Sequence, residues 1–181
     1  MKKLAAFMIL PALAMFMVPV IASADDDVWK NFHGTYQMTA SGSCLHSSLP
    51  YFKNPDNGRW TAPIGSQVYA GVTVANGTWI FKHGGGTYSQ TIYATILPGG
   101  DISIPVEVRV LAAKNVAFTY AITPSGDITV TQTNNGIQSF GSISIDKKTM
   151  TLLTANNVQN FPAPFWYTIC NTERTLIKVG E

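Results

Sequence analysis

Turn-forming residues interrupt this chain at short intervals, and each interruption separates two runs rich in Thr, Val, Ile, Tyr and Phe. The clusters are Asn76-Gly77 and residues 83–86, 98–101, 124–127, 134–136 and 146–148. Gly, Asn, Asp and Pro at such points supply left-handed or preset backbone angles at low cost. No interval is long enough for a helix that crosses between parallel strands, so the pattern predicts an all-β fold with antiparallel pairing.

The turn clusters divide the chain into ten candidate strands. They lie near residues 32–41, 67–74, 78–82, 87–97, 102–111, 116–123, 128–133, 137–145, 149–154 and 165–179. Because the connections are local and closure removes exposed edges, we expect an up-and-down barrel of about 8–10 strands. A two-sheet β-sandwich is the alternative.

Alternation within the strands predicts which side chains share a face. It places Ile102, Ile104, Val106, Val108 and Val110 on a buried face. Ser103, Pro105, Glu107 and Arg109 then fall on the opposite face, and we expect Glu107 and Arg109 to contact water. The same reasoning groups Val116, Phe118, Tyr120 and Ile122 on one face, and Phe32, Gly34, Tyr36 and Met38 on another.

The N-terminal region has the composition of an export signal. Lys2 and Lys3 precede an apolar run over residues 4–21, which ends in Ala22-Ser23-Ala24. We expect residues 1–24 to be a cleaved signal peptide and residues 25–181 to form a single domain. An uncleaved anchor is the alternative, but the small residues of the cleavage site favour release. The expected location is therefore periplasmic or extracellular, without a stable membrane anchor.

The net charge of the predicted mature chain bears on which classes of partner it could bind. Of the twelve Lys and Arg residues, two lie in the predicted leader, which leaves ten against ten Asp and Glu. A neutral domain without a basic stripe lacks the footprint that phosphate binding requires, so nucleic acid is not expected as a partner. A protein partner is left open, with the outer sheet face or the 42–66 loop as the candidate surface.

Two stretches of the sequence are predicted to lack regular secondary structure. Residues 42–66 carry several prolines together with Tyr51, Phe52 and Trp60, and we interpret them as a loop lying over one end of the barrel. Residues 155–164 form the second irregular stretch, before the last strand.

Cys44 and Cys170 are the two cysteines of the chain. Export would place both in an oxidising compartment, where pairing is the default, and a closed barrel would bring the first and last strands together. The alternatives for Cys44 are a metal ligand or a thiolate nucleophile, whose pKa His46 would have to lower. No metal-ligand spacing and no nucleophile motif accompanies it, so we predict no metal, no cofactor and no catalytic residue.

The first strand "FHGTYQM", the hairpins "GTWIFKHGGGTYS", "YAITPSGDITV" and "GSISIDKKTMTLL", and a last strand bearing Arg174 resemble the lipocalin-like, calycin-type barrels of small exported bacterial proteins. The resemblance implies carriage of a small hydrophobic or amphipathic molecule in the barrel lumen. In that family a first-strand Trp packs against an Arg. Here Tyr36 stands two residues after Gly34, and Tyr36 with Arg174 would form the equivalent cation–aromatic pair.

Aromatic side chains are the remaining candidates for a ligand site. The predicted lining is Tyr36, Met38, Trp79, Tyr93, Phe118, Tyr120, Trp166 and Tyr167. These side chains would equally well fill the barrel, because an eight-stranded interior holds either side chains or one small ligand. Besides a carrier, the sequence leaves open a non-enzymatic interaction module of the envelope or medium. A third interpretation is a barrel isomerase or cyclase.

Overall fold

The computed structural model describes residues 29–97, 107–160 and 167–181. The strands are β1 (Gly34–Ser47), β2 (Phe52–Lys53), β3 (Trp60–Thr61), β4 (Val68–Lys82), β5 (Gly85–Leu97), β6 (Glu107–Ile122), β7 (Asp127–Gln132), β8 (Gln138–Ile143), β9 (Thr149–Asn160) and β10 (Tyr167–Gly180). Eight of them close into a barrel in the order β1-β10-β9-β8-β7-β6-β5-β4, and every neighbouring pair is antiparallel. The predicted all-β, up-and-down barrel is confirmed, and the sandwich alternative is wrong.

The barrel has fewer and longer strands than the turn clusters of the sequence predict. Asn76-Gly77, predicted as a turn, lies inside β4, where Asn76 pairs with both Thr39 and Thr91. A side chain at Gly77 would collide with the backbone of Ser89, so this glycine serves the close approach of β5 rather than a change of direction. The prediction failed because pairing on both sides outweighs the local turn preference of Asn-Gly.

A β-bulge in β6 reverses the predicted faces at the beginning of that strand. Tyr88 pairs with Val116 and Gln90 pairs with Ala113, so β6 carries one extra residue there. Asn115, in this bulge, has a φ of 52°. Each extra residue exchanges the two faces of the strand beyond it.

The exchange of faces overturns the prediction for the residues before the bulge. Val108 and Val110 lie on the outer surface, 63% and 61% exposed. Arg109 is half-buried and pairs with the buried Ala94, which places Arg109 on the lumen side. After the bulge the predicted grouping holds, because Phe118 is buried and the alternate side chains there face inward.

Both predicted irregular stretches begin too early. Strand β1 continues through Gly42 to Ser47, and β9 continues through residues 155–160. The connection that follows β1 spans residues 48–67 and holds the small β2–β3 hairpin. The predicted loop is therefore real but shorter, and it starts after the cysteine.

The two ends of the barrel differ in their connections. The lower end carries the short turns between β4 and β5, β6 and β7, and β8 and β9, together with residues 29–33. The upper end carries the loop of residues 48–67. Strands β7 and β8 have only six residues each, so they pair with the lower parts of β6 and β9 alone.

Some predictions fall on parts of the chain outside the described residues. These are the signal peptide at 1–24, the turn at 98–101, the strand residues 102–106 and the candidate lining residue Trp166. Within the described ranges, there is no helix that has the length and apolar character to cross a membrane.

Candidate functional site

The lower half of the barrel interior is filled by side chains. Trp79 stacks on Tyr88 with ring centroids 4.7 Å apart, and Phe81 meets Phe118 edge-on at 5.0 Å. The other buried members of this cluster are Phe32, Tyr36, Met38, Ile128, Val130, Ile143, Met150, Leu152 and Leu176. Aromatic pairs in such geometries contribute about 0.5–1.5 kcal/mol each beyond their buried area. The lower half therefore serves as the stabilising core.

Hydrogen bonds close the lower end over this core. The Tyr36 hydroxyl donates to the carbonyl of Lys147 at 2.6 Å, in the β8–β9 turn. The Tyr120 hydroxyl lies 2.7 Å from the carbonyl of Phe32 and 2.8 Å from that of Lys82. Burial raises the pKa of Tyr36 to about 12, so its hydroxyl keeps its proton well above neutral pH.

Residues before β1 complete this closure. The indole Nε1 of Trp29 donates to the carbonyl of Pro124, and the ammonium of Lys147 lies 5.7 Å from the Trp29 ring centroid. Trp29 also packs against the core. These contacts cover the core at the lower end.

The upper half of the interior holds a cavity of about 660 Å³. The described residues that line it are Ala40, Cys44, His46, Thr73, Ala75, Tyr88, Gln90, Ile92, Ala94, Leu111, Ala112, Ala113, Gln132, Asn134, Asn135, Ile137, Thr168, Cys170, Thr172 and Arg174. This volume lies inside the range of about 300–1,000 Å³ that small-molecule sites occupy. The cavity exists because small side chains face inward here, where the lower half has aromatic rings.

Alanines on the three adjacent strands β1, β4 and β5 form part of the wall. Ala40, Ala75 and Ala94 all line the cavity, and Ala40 is the cross-strand partner of Ala75. Ile92 and Leu111, also cross-strand partners, continue an apolar wall onto β6. The turn after β7 places Asn134 and Asn135 at the cavity, because the short β7–β8 hairpin ends beside it.

The cysteines form a disulfide that belongs to the cavity wall. Cys44 and Cys170 are cross-strand partners with Cα atoms 4.2 Å apart, so the predicted pairing is confirmed. Such a bond is compatible with an oxidising compartment. Because Cys44 is bonded to Cys170, its sulfur does not serve as a thiolate nucleophile or a metal ligand in this structure.

His46 lies one step above the disulfide. Its Nδ1 is 3.0 Å from the hydroxyl oxygen of Thr168, and its side chain is buried. Gly71 on β4 makes room for the ring, since a Cβ there would lie 2.5 Å from His46 Nε2. Within the described ranges, no three His, Cys, Asp or Glu side chains are placed to hold a metal ion.

Arg174 marks the boundary between the cavity and the packed core. It is 7% exposed and lines the cavity, while Leu176, the next inward residue on β10, belongs to the core. Its Nη1 donates to the hydroxyl oxygen of Thr154 at 2.5 Å. Burial lowers the pKa of Arg174, and burial raises that of the neighbouring Tyr88.

The predicted lining residues occupy four different environments. Tyr36, Met38, Trp79 and Phe118 lie in the packed core below the cavity, and Tyr120 closes the lower end. Tyr93 lies on the outer surface, 43% exposed, opposite Val74 and Val110. Tyr167 is half-buried at the start of β10, and Trp166 is outside the described residues.

Tyr36 and Arg174 do not meet. Arg174 pairs with Ala40 on β1, four residues above Tyr36, and Met38 lies between them on the same face. The structure therefore does not support the predicted cation–aromatic pair. Instead, among the described residues Lys147 over Trp29 provides a cation–aromatic contact at the lower end.

The inward-facing alanines, Gln90 and Tyr88 were missed as cavity residues. Aromatic content was the wrong signal, because large rings fill a narrow barrel whereas small side chains leave space in it. The loop at residues 48–67 contributes nothing to the lining, although Phe52 and Trp60 in it are 49% and 37% exposed. A run of inward alanines on adjacent strands was the sequence signal that could have revealed the cavity.

Comparison with known proteins returned no matching family model, no matching curated protein and no matching solved structure.

Proposed function

We propose that this protein is an exported, lipocalin-like barrel that binds one small hydrophobic or amphipathic molecule in its lumen. The observation that carries the proposal is the cavity of about 660 Å³ above a fully packed core. A protein that needed the barrel only as a scaffold would gain stability by filling this space, because each unfilled volume forfeits packing contacts.

The polarity of the wall fits an amphipathic occupant. Apolar side chains such as Ile92 and Leu111 share the wall with a similar number of polar ones, among them Gln90 and Thr172. An amphipathic molecule can use both, since apolar walls supply affinity and polar groups fix orientation. Because the core and its hydrogen bonds cover the lower end, we expect a ligand to enter from the upper half of the barrel.

The neutral fluorescent probe N-phenyl-1-naphthylamine tests this function. We expect saturable binding at one molecule per barrel, with a blue-shifted emission, and displacement by a long-chain fatty acid or alcohol. A signal that rises without saturation, or that no lipid displaces, would rule out a lumen site. Native mass spectrometry of protein purified from its own host would reveal a retained ligand directly.

An apolar patch on the outer surface favours a second candidate, a protein-interaction module. Tyr93 pairs with Val74 on one side and Val110 on the other, and Val72 and Val108 lie two residues further along their strands. All five are 43–63% exposed. Contiguous exposed apolar surface of this kind is typical of interaction sites, whereas the solvent-facing side of a sheet is usually polar.

The two candidates respond differently to changes on the outer surface. A Tyr93→Ser, Val110→Thr double variant should bind N-phenyl-1-naphthylamine as the wild type does, because neither side chain lines the cavity. If the patch is the functional surface, chemical cross-linking in the envelope fraction should join another protein to the wild-type barrel. The double variant should fail to form that cross-link. Retention of that cross-link would exclude the patch.

A further inference from the structure

The floor of the cavity carries a buried positive charge. Arg174 extends from β10 between Ala40 on β1 and Leu152 on β9, and it is 7% exposed. Leu152 itself is fully buried. The guanidinium therefore lies where the apolar core ends and the cavity begins.

This charge has a neutral partner. The Thr154 hydroxyl accepts from Nη1, and that hydroxyl in turn is bonded to the hydroxyl of Ser139. The Nε atom is buried and has no hydrogen-bond partner. Across the parts of the chain that the structure describes, no carboxylate forms an ion pair with Arg174.

Burying a charge in this way is costly. A guanidinium stays protonated at any physiological pH, and its removal from water is offset only by an anion or a full set of hydrogen bonds. Two neutral hydroxyls do not neutralise it. The arrangement is therefore incomplete without a further acceptor, and the cavity is the adjacent space from which an acceptor could come.

The charges of the other described lining residues are also compatible with an anionic ligand. The described lining contains no Asp or Glu, and Arg174 is its sole Arg or Lys. Above Arg174 on β10 the inward positions are Thr172, Cys170 and Thr168, while Ile92 on β5 and Leu111 on β6 line the far side. A cation that is 7% exposed attracts an anion more strongly than a surface cation does, because burial reduces screening by water.

We propose that the ligand is an amphipathic monocarboxylate, whose carboxylate pairs with the Arg174 guanidinium at the cavity floor while its apolar part extends toward the upper end. The inference rests on the proposed lumen function and specifies its ligand class. A single negative charge fits, because Arg174 is the one arginine among the described lining residues; Arg109, also on the lumen side, does not line the cavity. A doubly charged head group would be partly uncompensated at this floor. Planar carboxylates also match the donor fork of arginine.

Paired probes separate this proposal from the lumen function itself. The fluorescent polyene cis-parinaric acid and its methyl ester differ only in the charge of the head group. We expect delipidated wild-type protein to bind the acid roughly tenfold or more tightly than the ester, since a hydrogen-bonded ion pair with a buried charge is at stake. Equal affinity for the two probes would overturn the carboxylate proposal and leave the lumen function intact. Binding of neither probe would remove both.

Substitution at the floor provides the second arm. Arg174→Met should lose the preference for the acid and keep the affinity for the ester, whereas Arg174→Lys should keep part of the preference. Arg59→Met, in the exposed loop, is the matched control and should bind both probes as the wild type does. An Arg174→Met protein that still prefers the acid would overturn the proposal.

Thermal unfolding distinguishes a binding role from a structural one. If Arg174 serves a ligand, Arg174→Met without ligand should unfold at the same or a higher temperature than wild type, because it removes an unneutralised buried charge. Addition of cis-parinaric acid should then raise the unfolding temperature of wild type and of Arg59→Met, and raise that of Arg174→Met by less, to the extent that the methyl ester does. A large loss of stability in Arg174→Met would instead assign Arg174 to the fold, and the wild-type comparison of acid with ester would then decide the ligand class alone.

Discussion

Cys44 and Cys170 face each other across the β1–β10 pair, 126 positions apart in the sequence and joined by a disulfide. The bond therefore fastens the seam at which the first and last barrel strands meet. It also forms part of the cavity wall. One covalent link thus supports both the closure of the barrel and the shape of its lumen.

Removal of this link should destabilise the barrel strongly. By the chain-entropy relation, closing a loop of this length contributes about 4–5 kcal/mol to the free energy of unfolding. We expect a Cys44→Ala, Cys170→Ala double variant to lose stability of that order in urea denaturation. Reductant should lower the stability of wild type and have no effect on the double variant. Equal unfolding midpoints for reduced and oxidised wild type would contradict the prediction.

Filling the lumen should abolish binding while preserving the fold. Ala75 faces the cavity between Ala40 and Ile92, so Ala75→Phe would place a ring in the empty space. We expect the affinity for N-phenyl-1-naphthylamine to fall roughly tenfold or more, with an unfolding temperature equal to or above that of wild type.

The neighbouring residue supplies the control for that experiment. Val74 is 55% exposed on the outer surface, so Val74→Phe adds the same ring outside the barrel. Its probe affinity should match that of wild type. If both variants lost binding equally, the probe would not be reading the cavity.

The closed end should respond to alkaline pH. The pKa of Tyr36 is raised from 10.0 to about 12, chiefly by burial, so the folded state holds this proton after the unfolded chain has released it. Stability contributed by the neutral hydroxyl is complete below pH 10 and is lost as pH rises through about 12. Urea denaturation across this interval should therefore show a falling free energy of unfolding.

Tyr36→Phe isolates that contribution. The variant lacks the hydrogen bond to the Lys147 carbonyl, so it should be about 0.5–1.5 kcal/mol less stable near neutral pH. Its stability should fall less steeply with alkaline pH than that of wild type. A residual slope is expected, because burial also raises the pKa of Tyr88 and Tyr120. An unchanged slope in Tyr36→Phe would refute the assignment.

Gly141 should tolerate no side chain. A Cβ there would overlap the backbone carbonyl of Thr151 on β9, and a backbone atom cannot move aside as a flexible side chain can. We expect Gly141→Ala to lower the free energy of unfolding by about 1–3 kcal/mol, as overpacking does elsewhere. Gly180→Ala, whose nearest neighbour would be Thr35 Cβ at 3.8 Å, should unfold as wild type does.

The sequence predicted the fold class and the covalent closure but not the cavity. Turn clusters such as Pro124–Asp127 act locally, and the backbone confirms several of them, with Gly126 at a φ of 88°. The Asn76-Gly77 cluster misled because β-pairing on both sides overrode its local preference. Val108 and Val110 were assigned to the wrong face because one bulge residue near Asn115 shifts the alternation, and no local pattern marks an extra residue in a strand.

By itself the sequence determined what depends on neighbouring residues: all-β structure, antiparallel order and the two cysteines that could pair. The tertiary structure decided which faces point inward, that aromatic rings fill the lower half, and that alanines leave the upper half open. It also decided that Arg174 lies buried at the floor of that space and away from Tyr36. These features depend on register across strands distant in sequence, and register is set by the packing of the whole barrel rather than by any one segment.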